Sequence, residues 1–185
     1  MTRSLVALLD KDLNCPITTS IGRLFDGVSA LLNLSQVADF EGEAAMGLQF
    51  LADSSRKNPY PQPYRFHLNV KKKTHEPWPA DWRPLISDIV HDISNRKNPS
   101  EIALRFHLTL ATLIKNIAKH VQCPQVVLTG GVFQNALLLQ LSEALLTQLG
   151  FAVYTPELFG PNDGGLSFGQ AVITNQQFLQ KHCSG

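Results

Sequence analysis

The sequence is short of most features that declare a function outright. Its 185 residues carry 16 Lys and Arg against 15 Asp and Glu, a net charge of +1, so no strong field draws it to nucleic acid or to a membrane surface. No apolar run reaches the roughly 18 residues that a membrane span needs. The N-terminal stretch MTRSLVALLDKDLN offers only LVALL before an acid, too short for a signal peptide. The three cysteines, Cys15, Cys123 and Cys183, are scattered, odd in number and without a CxxC pair. That pattern supports neither a zinc cluster nor a disulfide frame, and leaves a reduced, cytoplasmic protein as the expectation. There is no HxxxH, HExxH or Cys/His nucleophile signature, no GK[ST] after a glycine pair, no GxGxxG, and no GxSxG elbow around Ser20. The one basic run, Lys71 to Lys73, reads as a solvated loop or strand edge.

What is present is globular: 44% apolar and 17% charged residues, enough for one domain, or one and a half, with a real core. No internal repeat is visible. PITTSIGRLFDGVSALLNL reads as loop, cap and helix, with Thr19 or Ser20 capping and Leu24, Val28, Leu31 and Leu32 on one face. A second helix is expected over Glu41 to Ala52, with Ala44, Ala45, Leu48 and Leu51 inward and the acids Glu41 and Glu43 suiting its dipole. Six of the eleven prolines fall between Pro59 and Pro84, which predicts loop with one short strand where Tyr64, Phe66, Leu68 and Val70 alternate. A helix over Arg83 to Ser94 follows. A long one then opens at Ser100 and carries Ile102, Phe106, Leu110, Leu113, Ile114 and Ile117 on more than one side, as central helices do. His107 on that helix reads as a satisfied core histidine, and His91 and His120 as helix surface. His67 and His75 flank the short strand.

The last third changes rhythm. PQVVLTGG is a short strand ending in a glycine pair. VFQNALLLQLSEALLTQLG is a helix closed by Gly150, FAVYTP is a second strand, and PNDGGLSFGQ leads into a final helix. Strand, helix, strand, helix predicts an α/β class with buried parallel strands. Each strand-to-helix turn is glycine-paired. Free N–H groups beyond the carboxyl end of a parallel strand suit a ligand, and glycine permits its close approach. A packing turn explains the same residues. Asp163 is likewise an ordinary helix cap or a hard oxygen donor for a metal ion or a nucleotide hydroxyl. Glu41, followed by Gly42, is a solvated first-turn acid or a ribose contact.

Five blocks in fixed order, TTSIGRLFDGVSALL, FEGEAAMGL, LRFHLTLA, VVLTGGVFQNALL and PNDGGLSFGQ, closely resemble the C-terminal end of the hydrogenase-maturation carbamoyltransferases of the HypF family. The likeness runs from about Cys15 to Ile173. It implies part of a single Kae1-like domain with an actin-like or sugar-kinase-like ATPase fold of the ribonuclease-H-like group. Within it, residues 15–58 would be a helical part, 59–84 a proline-rich loop with a short strand, and 85–177 the nucleotide cleft. The resemblance also implies ATP and carbamoyl-adenylate as ligands, a divalent metal, iron or zinc, and a HypE-type dehydratase whose C-terminal cysteine accepts the carbamoyl group on the way to cyanide ligands of NiFe-hydrogenase. Carried over residue by residue, Gly130 and Gly131 line the nucleotide, Asn135 reaches its sugar or base, Glu41 and Gly42 contact it from the opposite wall, and Asp163 is a metal ligand.

Two departures stand out. Glu43 occupies a place where the family commonly has glutamine. The HxxxH pair that shares the metal with the counterpart of Asp163 is missing, as are the acylphosphatase-like, zinc-finger and YrdC-like parts. The expectation is therefore a piece cut inside the final domain of the enzyme, working with the rest of it on a separate chain and tending to self-associate alone. The alternatives are a non-catalytic remnant, an isolated nucleotide- or partner-binding module, or a generic Rossmann-type nucleotide binder.

Overall fold

The computed structural model describes residues 2–55, 60–70 and 77–182. The basic run Lys71 to Lys73, His75 and Cys183 lie outside them. Seven α-helices, two pairs of very short strands and two 3-10 turns are described. The chain begins with α1 (Thr2–Asp10), α2 (Ile21–Leu31) and α3 (Glu43–Asp53). The antiparallel pair β1 (His67–Leu68) and β2 (Ala80–Asp81) then leads into α4 (Arg83–Ser94) and α5 (Pro99–Val121). The rest is β3 (Gln125–Val127), a 3-10 turn at Gly131–Gln134, α6 (Ala136–Thr147), β4 (Ala152–Tyr154), a second 3-10 turn at Asp163–Gly165, and α7 (Leu166–His182).

The organising element is α5. Asn98 caps it by accepting from the Ser100 N–H, Pro99 occupies the first turn, and Gln122 ends it in the left-handed conformation. Apolar residues recur round its circumference, so it buries Ile102, Ala103, Phe106, Leu110 and Ala111 against neighbours on several sides. Phe25 and Val28 of α2, Leu48 and Ala52 of α3, Leu85 and Ile89 of α4, and Leu137, Leu138 and Leu141 of α6 close the same core. A smaller cluster of Ala118, Leu128 and Leu146 seats the strand pair on the far end of α5 and on α6.

Most sequence expectations hold, and the exceptions have local causes. In α2 the inward positions are Phe25, Val28 and Ser29, while Leu31 is exposed. Ser20 occupies the cap position of α2 without a side-chain cap bond. The proline-rich segment keeps its alternation: Tyr64 is buried, Phe66, Leu68 and Val70 are half-buried, and the residues between are exposed. Its ladder, however, covers only two residues per strand. The expectation of buried parallel strands fails. The β3–β4 pair is parallel, in register Gln125↔Ala152 to Val127↔Tyr154. Yet only its central residues are half-buried, and Val127 and Tyr154 face solvent at 64% and 52% exposure. A two-stranded parallel pair becomes buried only when further strands and a second layer cover it, and the described residues supply one layer.

Helix α7 shows the same incompleteness. Leu166, Phe168, Val172, Ile173, Phe178 and Leu179 are all exposed, and they point in several directions round the helix. Large apolar side chains left open to water favour association. Sedimentation velocity of the isolated 185-residue chain is expected to show concentration-dependent self-association. A single monomeric boundary across a tenfold concentration range contradicts this.

Candidate nucleotide site

The two parallel strands end on the same edge of one sheet; Gly130 follows β3 by three residues, whereas Gly164 follows β4 by ten. In the parallel pair both carboxyl ends point one way, and the Leu128 N–H still donates to the Tyr154 carbonyl at 2.9 Å. The first turn then bends at Gly130, whose φ of +105° and ψ of 156° lie where only glycine sits without strain. A side chain grown on either Gly130 or Gly131 would meet nothing within 4 Å. The space over this turn is open, which the close approach of a ligand requires and which a purely packed turn does not. The second turn is built differently. A Cβ on Gly165 would press on the Gly160 carbonyl at 3.2 Å, and one on Gly164 would meet Asn162 Oδ1 at 3.1 Å. Those glycines serve the tightness of the loop itself.

Asn135 takes a place that the helical pattern did not reveal. The helix starts at Ala136 rather than Val132, because residues 131–134 form a 3-10 turn and Asn135 is the cap of α6. Its Oδ1 accepts from the Leu138 N–H at 2.9 Å, and its Nδ2 lies 3.0 Å from His107 Nε2. The side chain is 8% exposed and is thus committed to the protein rather than turned to solvent. The Ala136 N–H donates to Gln49 Oε1 of α3 at 2.9 Å. Two of the first amides of α6 are therefore occupied by side chains, and an anion at this turn would rely on the glycine-pair backbone more than on the helix terminus. Gln49 and His107 are the residues that the sequence left unassigned to the site. The signal for His107 was its place on an apolar helix face, and it is fully buried.

On α3, Gly42 is the cap residue, with φ +86°, so the helix begins two residues later than expected and Glu41 lies in the turn before it, exposed. The Glu43 carboxylate is engaged by the chain itself. Its Oε2 accepts from the Asp39 N–H at 2.6 Å, closing the turn as a first-turn acid does. Asp163 is exposed, and no bond to its carboxylate is present among the described residues. The capping role expected of it belongs to Asn162, whose Oδ1 accepts from the Gly164 N–H. Through Gln49 the structure ties α3 to the start of α6, just after the first glycine turn.

Among the described residues no three His, Cys, Asp or Glu side chains converge. One exposed carboxylate does not hold a divalent ion tightly, so the donor set here does not by itself fit a resident iron or zinc. Two surface depressions lie elsewhere: one of about 770 Å³ beside Trp82, Arg83 and Ile86, and one of about 330 Å³ beside Tyr64, Asp92 and Arg105. None of the candidate ligand residues lines either. No helix among the described residues is long and apolar enough to cross a membrane.

The class that this geometry defines is a helix-rich α/β unit with short parallel strands and an open glycine turn at their carboxyl edge. Residues 1–170 match the family of the carbamoyltransferase Kae1-like domain, second subdomain, and the chain belongs to that family, the HypF carbamoyltransferases. It is 37% identical over 166 residues to the carbamoyltransferase HypF of Synechocystis sp., covering 89% of this chain and 21% of that protein. It is 30% identical over 168 residues to a probable carbamoyltransferase HypF of Methanocaldococcus jannaschii, again 89% of this chain and 21% of that one. A full-length HypF crystallised in the phosphate- and nucleotide-bound form superposes with a TM-score of 0.82 at 31% identity, over 97% of this chain and 23% of that one. The chain thus spans about a fifth of the length of these relatives.

Proposed function

We propose that the chain supplies one wall of the carbamoyl-adenylate cleft of a HypF-type carbamoyltransferase, within an actin-like, sugar-kinase-like ATPase domain. The observation that carries this reading is the open space over Gly130 and Gly131 at the carboxyl edge of the parallel pair, in a chain that matches the family over residues 1–170. Backbone amides there would meet the phosphate of a nucleotide made from ATP and carbamoyl phosphate, with Glu41 and Gly42 on the opposite wall. Asn135 would act by holding the turn, since both ends of its amide are engaged inward. The reaction would join the carbamoyl carbon to the C-terminal cysteine sulfur of a HypE-type dehydratase and break its bond to the adenylate phosphate, releasing AMP, in the cytoplasm. A metal beside Asp163 would need ligands from the rest of a HypF-type enzyme, on a longer or a second polypeptide.

The test is a chimera in which this chain replaces the matching fifth of the Synechocystis HypF. Carbamoyl transfer at a rate within about tenfold of the parent is expected, and Asp163→Ala in the chimera should lower it by at least about a hundredfold, the scale of a lost catalytic interaction. Transfer that is undiminished in Asp163→Ala removes that residue from the site. The incomplete metal donor set favours a second reading, a non-catalytic nucleotide- or partner-binding module. A folded chimera with no transfer above the truncated parent decides for it.

A further inference from the structure

We infer that His107 is a positioning residue for the glycine turn, acting through Asn135. This inference rests on the nucleotide reading only for its functional arm. The imidazole sits in the core at 0% exposure, edge-on to Phe25 and Phe106 with ring centroids 5.3 and 5.8 Å away. Its Nδ1 lies 2.8 Å from the Ala103 carbonyl oxygen, an acceptor only, so Nδ1 carries the proton and donates. Nε2 is then left as an acceptor, and it faces Asn135 Nδ2 at 3.0 Å. That fixes the Asn135 amide with its nitrogen inward and its oxygen toward the Leu138 N–H.

The result is a chain of one polarity, from the Leu138 N–H to Asn135, from Asn135 to His107, and from His107 to the Ala103 carbonyl. It runs from the first turn of α6 to the middle of the most buried helix. Asn135 follows the 3-10 turn that begins at Gly131, so the position of its side chain sets where the glycine turn ends. Gly130 has open space where a side chain would stand, and its carbonyl accepts from the Phe133 N–H at 3.0 Å within the turn itself. Asn135 adds a tie from the end of that turn to the core. A packing role alone would need only the ring; the positioning role needs an acceptor at Nε2.

Three forms of the 185-residue chain separate these roles: the unchanged chain, His107→Phe, which keeps a ring and removes the acceptor, and His107→Gln, which keeps an acceptor. Amide hydrogen exchange and calorimetry with Mg·ATP are the two readouts. Exchange at residues 131–138 should accelerate about tenfold or more in His107→Phe, as expected when a buried donor loses its acceptor, and return to within about threefold of the unchanged chain in His107→Gln. Exchange at residues 102–106 should hold steady. Mg·ATP affinity should follow the same order. Equal exchange at 131–138 in all three, or acceleration spread evenly along α5 and equal in both variants, overturns the inference. An unchanged chain that gives no heat with Mg·ATP counts against the nucleotide reading, and the exchange data then decide the role of His107 alone.

Discussion

Phe106→Ala is expected to cost about 3–5 kcal/mol of folding stability, the range for deleting a fully buried aromatic ring. Phe106 is 0% exposed and meets Phe25 edge-on at 4.9 Å, with the planes at 82°, a geometry that adds to the area it buries. It belongs to a core that α2, α3, α4, α5 and α6 build together, and elements held by so many neighbours relax only partly into a gap. Domains of this size hold about 5–15 kcal/mol in total, so the loss takes a large share of it. Urea denaturation checks the value through a lower midpoint at unchanged slope. Phe106→Leu, which keeps much of the volume, should cost less than half as much. A Phe106→Ala cost below about 1 kcal/mol would mean that the core around α5 collapses freely, against the packing described.

The second large effect is at Asp92. Its side chain is 5% exposed and accepts from three donors: Tyr64 Oη at 2.9 Å, Lys97 Nζ at 2.9 Å and Arg105 Nη1 at 2.5 Å. Arg105 also donates through Nε to the Gln62 carbonyl and lies 3.9 Å over the Tyr64 ring. Burial by itself would raise the Asp92 pKa. The hydrogen bonds from Lys97 and Tyr64 and the charge of Arg105 outweigh it and hold the carboxyl below its ordinary range. Burial and the bond to Asp92 push the Tyr64 phenol well above its own. Asp92→Asn leaves amide hydrogens facing donors and an uncompensated cation that is largely buried. Breaking such a pair costs about 3 kcal/mol at neutral pH, at the low end of its range because Lys97 is 44% exposed and can turn to water.

The pH dependence has a definite sign. A carboxyl depressed in the folded state contributes its full stability above the unfolded pKa of about 3.9 and loses it as the pH falls through the folded value. The stability gap between the unchanged chain and Asp92→Asn should therefore be constant from neutral pH down to about 5 and narrow below about 4. Thermal or urea unfolding across that range measures it. A gap that stays constant into acid, or widens, assigns the stability to something other than the charge on Asp92.

Periodicity made the helical frame legible. Arg83–Ser94 and the many-sided α5 follow directly from apolar spacing, and the alternation of Tyr64, Phe66, Leu68 and Val70 survives even where the ladder is only two residues long. What could not be read was pairing at a distance. Asp92 meets Arg105 and Tyr64 through the angle between α4, α5 and the proline-rich segment, and no local pattern encodes that angle. The same holds for Gln49 and Ala136, which lie on α3 and α6. Capping failed more locally. Asn135 was hidden inside a run that is apolar at helical spacing, and Asn162 and Asp163 are both competent caps, separated only by where the chain turns. Strand burial was overestimated because it depends on neighbouring strands as much as on the composition of the strand itself. Of the candidate site, the glycine pairs and their common sheet edge were visible in the sequence. The inward commitment of Asn135 was not.

The placing of polar anchors on α5 has one more consequence. His107 faces Asn135, and two residues on, the Thr109 hydroxyl accepts from the Tyr64 backbone N–H at 2.8 Å while donating to the Arg105 carbonyl. Two residues on an α-helix turn it by about 200°, so these anchors grip α5 from opposite sides. The helix is thereby locked against rotation about its own axis, with the proline-rich segment holding one flank and the glycine turn the other. A single residue inserted or deleted within α5 before position 107 would swing both anchors off their partners together, so the phase of α5 is a shared coordinate of two regions far apart in the sequence.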